Sequence, residues 1–432
     1  MKTQLYSTIL QAFLLLVFNP LVKVEEIEDV ASKHEGSQRF KIRKDERVTR
    51  LLEERDLDIW GANHTFYDVL VGKDKLNDVR QFLYKHDVRY SIVDRNIAET
   101  IRKYGMSNST EDKRTLKESY IPTFTCYQTV EEIHNYLDSL ARSYPNIASV
   151  GIMGHSIEGR PLKFIKISSG KYNAKVFFID GGIHAREWVA HAAATYVIKQ
   201  LVENRRELPP EMLDMDFFVV PILNPDGYVY TYTHDRLWRK NRSKNGKCYG
   251  VDINRNFDIG FGGKGTSSNP CQEIYRGPSA TSEMEAQAFV KFMSNIKENL
   301  KGYVTLHSYG QFVLIPYGYK ENTFPPDFQE LRRVGINAAL AIKEIGNKKY
   351  TVGNTAKVLY TAAGGSDDWV KAKIGANYVY TIELRDEGDY GFTLPENLII
   401  PTVKEAFEAI KVIAIAAYRS QRKRNQNWNW FN

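Results

Sequence analysis

Three residues in this 432-residue chain carry metal-binding chemistry in a pattern worth building on: His184, Glu187 and His307. The first two lie in KVFFIDGGIHAREW, residues 175–188. A spacing of three brings an imidazole and a carboxylate to one point if the turn between them is helix-like. Nitrogen and oxygen donors of that kind suit zinc. An isolated H-x-x-E is more commonly a hydrogen bond at a helix start, so a third ligand has to come from elsewhere. His307 ends the apolar run YVTLHSY. A lone histidine there reads as a core residue, but a second strand end already carries H-x-x-E. Two imidazoles and one carboxylate leave zinc with an open fourth position, the mark of a catalytic site. One Zn2+ per chain is the expectation.

The elements that must position these groups are legible around them. Val176 to Ile179 has the composition of a buried strand, and Gly181 and Gly182 break it. Trp188 to Val202 follows as an amphipathic helix, apolar at 189, 193, 197 and 201. The ligands thus sit where strand hands over to helix, the edge at which open α/β sheets bind ligands. From residue 120 onward strands and helices alternate. Helices are expected at 130–144, 282–293, 328–345 and 403–418, and strands at 161–168, 217–223, 303–307, 312–317 and 378–383. The stretch 224–278 is long, irregular and rich in Gly, Asn and Arg, which in a compact domain is usually functional. The pattern predicts a mixed α/β sheet flanked by helices, over 120–419.

Residues 24–106 form a separate unit, with short elements between 37 and 104. Strands are expected at 39–43, 66–71 and 88–93 and helices at 47–55, 75–84 and 96–104, a small α+β domain. Residues 107–119, SNSTEDKRTLKES, read as an exposed linker. Its Lys113–Arg114 pair suits a trypsin-like protease.

The net charge of +7 is mild, and no nucleic-acid-binding module accompanies it. Lys2 followed by the apolar Ile9 to Phe18 reads as a signal peptide, residues 1–23, so the protein is expected to be secreted and extracellular. No later apolar run is long enough for a membrane span. In that compartment Cys248 and Cys271 could bridge, contributing roughly 3 kcal/mol in a chain-entropy account, with Cys126 left over. Asn63, Asn108 and Asn241 begin N-x-S/T sequons, each a possible glycan site.

Taken together, HAREW (184–188), RLWRKNR (236–242), GVDINRNF (250–257), HSY (307–309), YTAAGGSDDW (360–369) and IELRDEGDYGF (382–392) resemble the pancreatic-type zinc metallocarboxypeptidases, the A/B group. The unit before the linker resembles that family's activation domain, which covers the active site before cleavage. The His₂Glu set is the one known from carboxypeptidase A. The resemblance implies an eight-stranded mixed sheet and a monomer acting on peptide or protein C-termini. It implies roles as well. His184, Glu187 and His307 match the zinc ligands, and Asp252 matches the carboxylate that orients the first histidine. Glu383 matches the general base, which takes a proton from the attacking water and delivers it to the leaving amine. Its bland alternative is a salt bridge to Arg385. Arg239 matches the cation that stabilises the oxyanion. Asn254, Arg255 and Tyr360 match the clamp on the substrate's terminal carboxylate. Arg186, Tyr309 and Phe392 match groups lining the substrate groove. Cys248 and Cys271 match the family's disulfide.

Asp367 stands where the family sets its preference: an apolar residue goes with apolar C-termini, aspartate with Lys and Arg. A buried carboxylate also rejects apolar side chains that leave it unpaired. The alternative is a helix start at Ser366, Asp367 and Asp368. Gly318 falls where many B-type relatives carry serine. Residues 420–432 extend past the usual end as a tail with basic residues and two Trp.

Overall fold

The computed structural model describes residues 29–63, 65–105 and 124–420. The expected leader, the linker with Lys113–Arg114, the Asn108 sequon and the tail beyond Ser420 lie outside them. No helix among the described residues is long and apolar enough to cross a membrane.

The N-terminal unit is a four-stranded antiparallel sheet with helices packed on it. Its strands are β1 (Gln38–Arg43), β2 (Asp58–Ala62), β3 (Phe66–Val71) and β4 (Tyr90–Asp94), in the order β2-β3-β1-β4. Helices Glu46–Glu54, Leu76–Lys85 and Ile97–Tyr104 fall where expected, within a residue or two. Edge strand β2 was not expected. Its DIWGA sequence is short, is interrupted by Gly61 and lacks the alternation that marks a strand.

The larger unit is built on an eight-stranded mixed sheet. Its strands are β5 (Ala148–His155), β6 (Pro161–Ile167), β7 (Lys175–Gly181), β8 (Met215–Val220), β11 (Leu300–Ser308), β12 (Phe312–Ile315), β13 (Thr351–Asn354) and β14 (Tyr378–Leu384). Two-residue strands β9 (Lys244–Asn245) and β10 (Cys248–Tyr249) form a separate hairpin. The sheet order is β13-β12-β14-β11-β7-β8-β6-β5. The four central strands, β14, β11, β7 and β8, run parallel, so their carboxyl ends share one edge. Both faces are covered, and β7 is therefore almost continuously apolar. Phe177 and Ile179 join one buried cluster, Val176 and Phe178 the other.

Helix Trp188–Val202 departs from the amphipathic expectation, since it is buried on nearly every side. Helix Ile399–Arg419 covers the flank that periodicity would have left to water. Strands β5 and β13 at the two sheet edges went unread, and Pro225–Thr233, inside the supposedly irregular stretch, is helical. There Pro225 takes a first-turn position and the Asn224 side chain accepts from Gly227 N–H at 3.0 Å.

Candidate metal centre and substrate cleft

The chain leaves β7 at Gly181 and turns sharply before the helix at Trp188. Gly182 has φ +69°, and a Cβ there would lie 2.3 Å from His191 Nε2, so the turn requires glycine. The turn sends His184 and Glu187 toward the carboxyl end of β11, where His307 waits. His184 Nδ1 lies 2.7 Å from Glu187 Oε1, and His307 Nδ1 lies 3.0 Å from Glu187 Oε2. The two Nδ1 atoms are 3.2 Å apart. One ligand atom from each residue falls within 4.8 Å of the others, and all three residues are buried.

The donor set fits zinc. Asp252 Oδ1 accepts from His184 Nε2 at 3.2 Å, which puts the proton on that nitrogen and leaves a lone pair on Nδ1. Two imidazoles and a carboxylate converging in a buried site suit a cation held between them. The electrostatics agree. Burial lowers His307, but Glu187 more than reverses this, with Glu383 and Asp180 adding to it, and the imidazole rises to about 9. Burial would raise Glu187, yet His184 and His307 hold it below the usual carboxylate range.

Asp252 organises the neighbourhood. It caps the Ile253–Arg255 turn by accepting from Asn254 N–H at 3.0 Å. Its Oδ2 accepts from Arg239 Nε and Nη2 at 3.0 and 2.9 Å. Arg239 Nη1 then stands 3.8 Å from Glu187 Oε1, beside the ligand cluster. Burial would neutralise Asp252, but Arg239, Arg255 and His184 keep it strongly acidic. Arg255 is buried, with Nε on the Gly265 carbonyl at 2.8 Å. Asn254 Oδ1 accepts from Ser366 N–H at 2.9 Å. Tyr360 is half-buried.

Glu383 is placed by register. Strands β11 and β14 are parallel, with His307 opposite Glu383. The alternative of a Glu383–Arg385 salt bridge fails, because Arg385 pairs with Glu405, Nε to Oε2 at 2.8 Å. Burial pushes the Glu383 carboxyl up to about 8; Glu187 and Asp367 assist, while His307 and Arg239 oppose.

The two adjacent aspartates have different partners. Asp368 accepts from Gly318 N–H at 2.9 Å and Tyr319 N–H at 2.7 Å. Asp367 Oδ2 accepts from the Thr381 hydroxyl at 3.0 Å. The helix start is there, since Ser366–Trp369 is one helical turn with both aspartates in it, but its N-cap position is Gly365 and no side chain caps it. Burial raises both carboxyls. At Gly318 a Cβ would meet the Thr355 side chain at 3.0 Å, so Thr355 fills space beside the position expected to hold serine.

Three expected groove residues are covered by the N-terminal unit. Arg186 is 1 % exposed and pairs with Asp58 of β2. Phe392 packs on Trp60, ring centroids 4.9 Å apart, with the Arg186 guanidinium 4.3 Å from its own centroid. Tyr309 donates its hydroxyl to Asp68 Oδ2 at 2.8 Å. Asp58, Trp60 and Asp68 were not singled out in the sequence; nothing local marks them.

The Cys248–Cys271 disulfide is formed, with Cα atoms 5.2 Å apart, and Cys126 takes no part in it. The Asn241 sequon is corrected: its side chain is fully buried and donates to Glu283 and Glu285 at 2.8 and 3.0 Å, leaving no room for a glycan on the folded protein.

A sequence profile described as zinc carboxypeptidase matches residues 133–409, more than half of the chain. The chain belongs to the zinc carboxypeptidase family. A second profile, carboxypeptidase activation peptide, matches residues 44–104. This carboxypeptidase is 45 % identical over 294 residues to carboxypeptidase B of Astacus astacus, a match spanning 67 % of this chain and 97 % of that protein. It is 37 % identical over 370 residues to carboxypeptidase A1 of Sus scrofa, covering 84 % and 87 %. The solved structure of carboxypeptidase A from Helicoverpa armigera superposes with a TM-score of 0.82 at 30 % identity, covering 89 % of this chain and 98 % of that one. The enzyme is thus a metallo-exopeptidase made with an activation peptide, and its relatives bear both A and B names.

Proposed function

We propose that this enzyme is a secreted, monomeric procarboxypeptidase of B-type preference that removes C-terminal Lys or Arg. Residues 1–23 are its leader, 24–106 its activation unit and 107–119 the linker cut by a trypsin-like protease. Residues 120–419 form the catalytic unit, and 420–432 a tail.

Held by His184, Glu187 and His307, zinc supplies Lewis-acid chemistry for peptide hydrolysis. The chain's own residues do the rest. Asn254, Arg255 and Tyr360 hold the terminal carboxylate, which makes the enzyme an exopeptidase, since an internal peptide has no carboxylate to offer. The Ser366 N–H engages the Asn254 carboxamide oxygen, so its NH₂ end is the one left for a substrate. Arg239, braced twice by Asp252, stabilises negative charge growing on the scissile carbonyl oxygen. Glu383 takes a proton from the attacking water and returns it to the departing amine. Arg186, Tyr309 and Phe392 line the groove further along the peptide, so the activation unit silences the enzyme by occupying them.

One observation carries the Lys/Arg preference. Asp368 is occupied by two backbone N–H groups, whereas Asp367 is met by a hydroxyl. Of two buried carboxylates, the one with fewer main-chain donors has the most to gain from a cationic side chain. The test is trypsin activation of the full chain, then kcat/KM on peptides differing only in their last residue, with and without chelator. Arg and Lys should lead by at least about tenfold, a gap of one charged hydrogen bond. Equal or better turnover of Leu or Phe would overturn the preference.

A further inference from the structure

Asp180 is a carboxylate that follows the apolar run Val176 to Ile179 of β7, and the chemistry above leaves it without a task. It is fully buried. The Tyr303 hydroxyl donates to its Oδ2 at 2.7 Å, and the Thr305 hydroxyl to its Oδ1 at 2.7 Å. Tyr303 has one hydroxyl proton. With that proton directed at Asp180, its oxygen accepts from the Ser366 hydroxyl, 3.0 Å away. The charge on Asp180 therefore fixes the direction of every bond in the chain. Ser366 is held at two points. Its side chain faces the core through Tyr303, and its N–H engages Asn254 Oδ1 at 2.9 Å. Asp367 is the next residue. The turn that carries them packs closely: Gly364 has φ +80°, and a Cβ there would stand 2.3 Å from the Arg255 carbonyl oxygen.

We propose that the buried relay Asp180–Tyr303–Ser366 is a positioning device for substrate recognition. It ties the turn presenting Asp367, and through the Ser366 N–H the Asn254 carboxamide, to the strand that delivers His184. The proposal rests on the reading of Asn254 and Asp367 as contacts to the substrate's carboxylate and last side chain. Asp180, Tyr303 and Ser366 touch no substrate; they fix the groups that do. Ser366 is the junction, because one residue joins the carboxylate clamp to the floor of the side-chain pocket.

The experiment uses the trypsin-activated full chain and peptides ending in Arg or Leu. Tyr303→Phe keeps the ring and removes the hydroxyl. It should raise KM for the Arg peptide about tenfold, the scale of one lost buried hydrogen bond, and lower the Arg-to-Leu preference. Because the zinc ligands and Glu383 are untouched, kcat should stay within about twofold and zinc content should be unchanged. Ser366→Ala, which leaves both Asp180 bonds intact, should give the same split and serves as the test if Tyr303→Phe does not fold. The double variant should be no worse than either single one, since both break one connection. A fall in kcat with KM unmoved, or additive losses, would overturn the proposal. Asp367→Ile separates the two levels. If it inverts the preference while Tyr303→Phe leaves KM alone, the relay is wrong and the pocket reading survives. If it leaves the preference unchanged, the pocket reading falls and the relay with it.

Discussion

Asp58 and Arg186 form a two-pronged ion pair between the units, Nη1 to Oδ2 at 2.6 Å and Nη2 to Oδ1 at 3.0 Å. Arg186 is two residues from one zinc ligand and next to another, so this pair anchors the activation unit at the rim of the metal centre. Removing Asp58 leaves a buried guanidinium without its partner, a penalty of about 3–5 kcal/mol. Asp58→Ala should therefore loosen the cover and give the uncut chain measurable activity on a small peptide substrate, compared before and after trypsin. Silence equal to that of the parent chain would show that other contacts suffice for latency.

Glu383 has lost its alternative salt-bridge partner to Glu405, so its carboxyl is available for proton transfer. Glu383→Gln should keep one zinc per chain and reduce kcat by about 100- to 10,000-fold, the usual contribution of a positioned general base. Metal analysis and steady-state kinetics on one preparation check both halves; substantial remaining turnover would remove Glu383 from that role.

Asp367→Ile replaces a buried charge with an apolar side chain of similar reach. The kcat/KM for C-terminal Arg should fall by about 100-fold or more, and that for Leu should rise. Competition between two such peptides in one assay reads the ratio directly. An unmoved ratio would reassign the preference to other residues.

Glu285 offers a test of stability away from the catalytic groups. Burial pushes its carboxyl from 4.5 up to about 7. The unfolded chain releases this proton near 4.5, while the folded chain holds it until about 7. Between those values the folded state binds more protons, so stability falls as pH rises, by up to about 3 kcal/mol from this group. Glu285→Gln cannot titrate. Its Tm measured against the parent's should therefore gain as pH rises from 4.5 to 7, and parallel curves would contradict the assignment.

The placement of the metal triad and of Glu383 was readable because its signals are local. Strand β7 is an apolar run ended by two glycines, and His307 and Glu383 each close an apolar strand. Their meeting follows from parallel neighbours sharing one edge. What escaped reading depends on partners distant in sequence. Asp58 lies in a short edge strand whose hydrogen bonds go to β3 and whose ion-pair partner is 128 residues away. Gly61 weakens that strand as a pattern, and in the fold it lies beside the Tyr309 ring, where a Cβ would make an ordinary contact at 3.6 Å. Helix Trp188–Val202 looked half-exposed because periodicity cannot report a second helix on its outer flank. The Asn241 sequon looked available because a tripeptide says nothing of burial. Asp180 did leave a trace, a charge inside VFFIDGG, and a buried carboxylate of that kind always requires donors.

Zinc content per chain, measured for the parent and for His307→Ala after dialysis against a weak chelator, tests the metal centre most directly. One zinc per chain is expected in the parent and near zero in the variant, with activity returning in proportion to the zinc restored. A variant that keeps its zinc, or a parent fully active without any, would contradict this expectation.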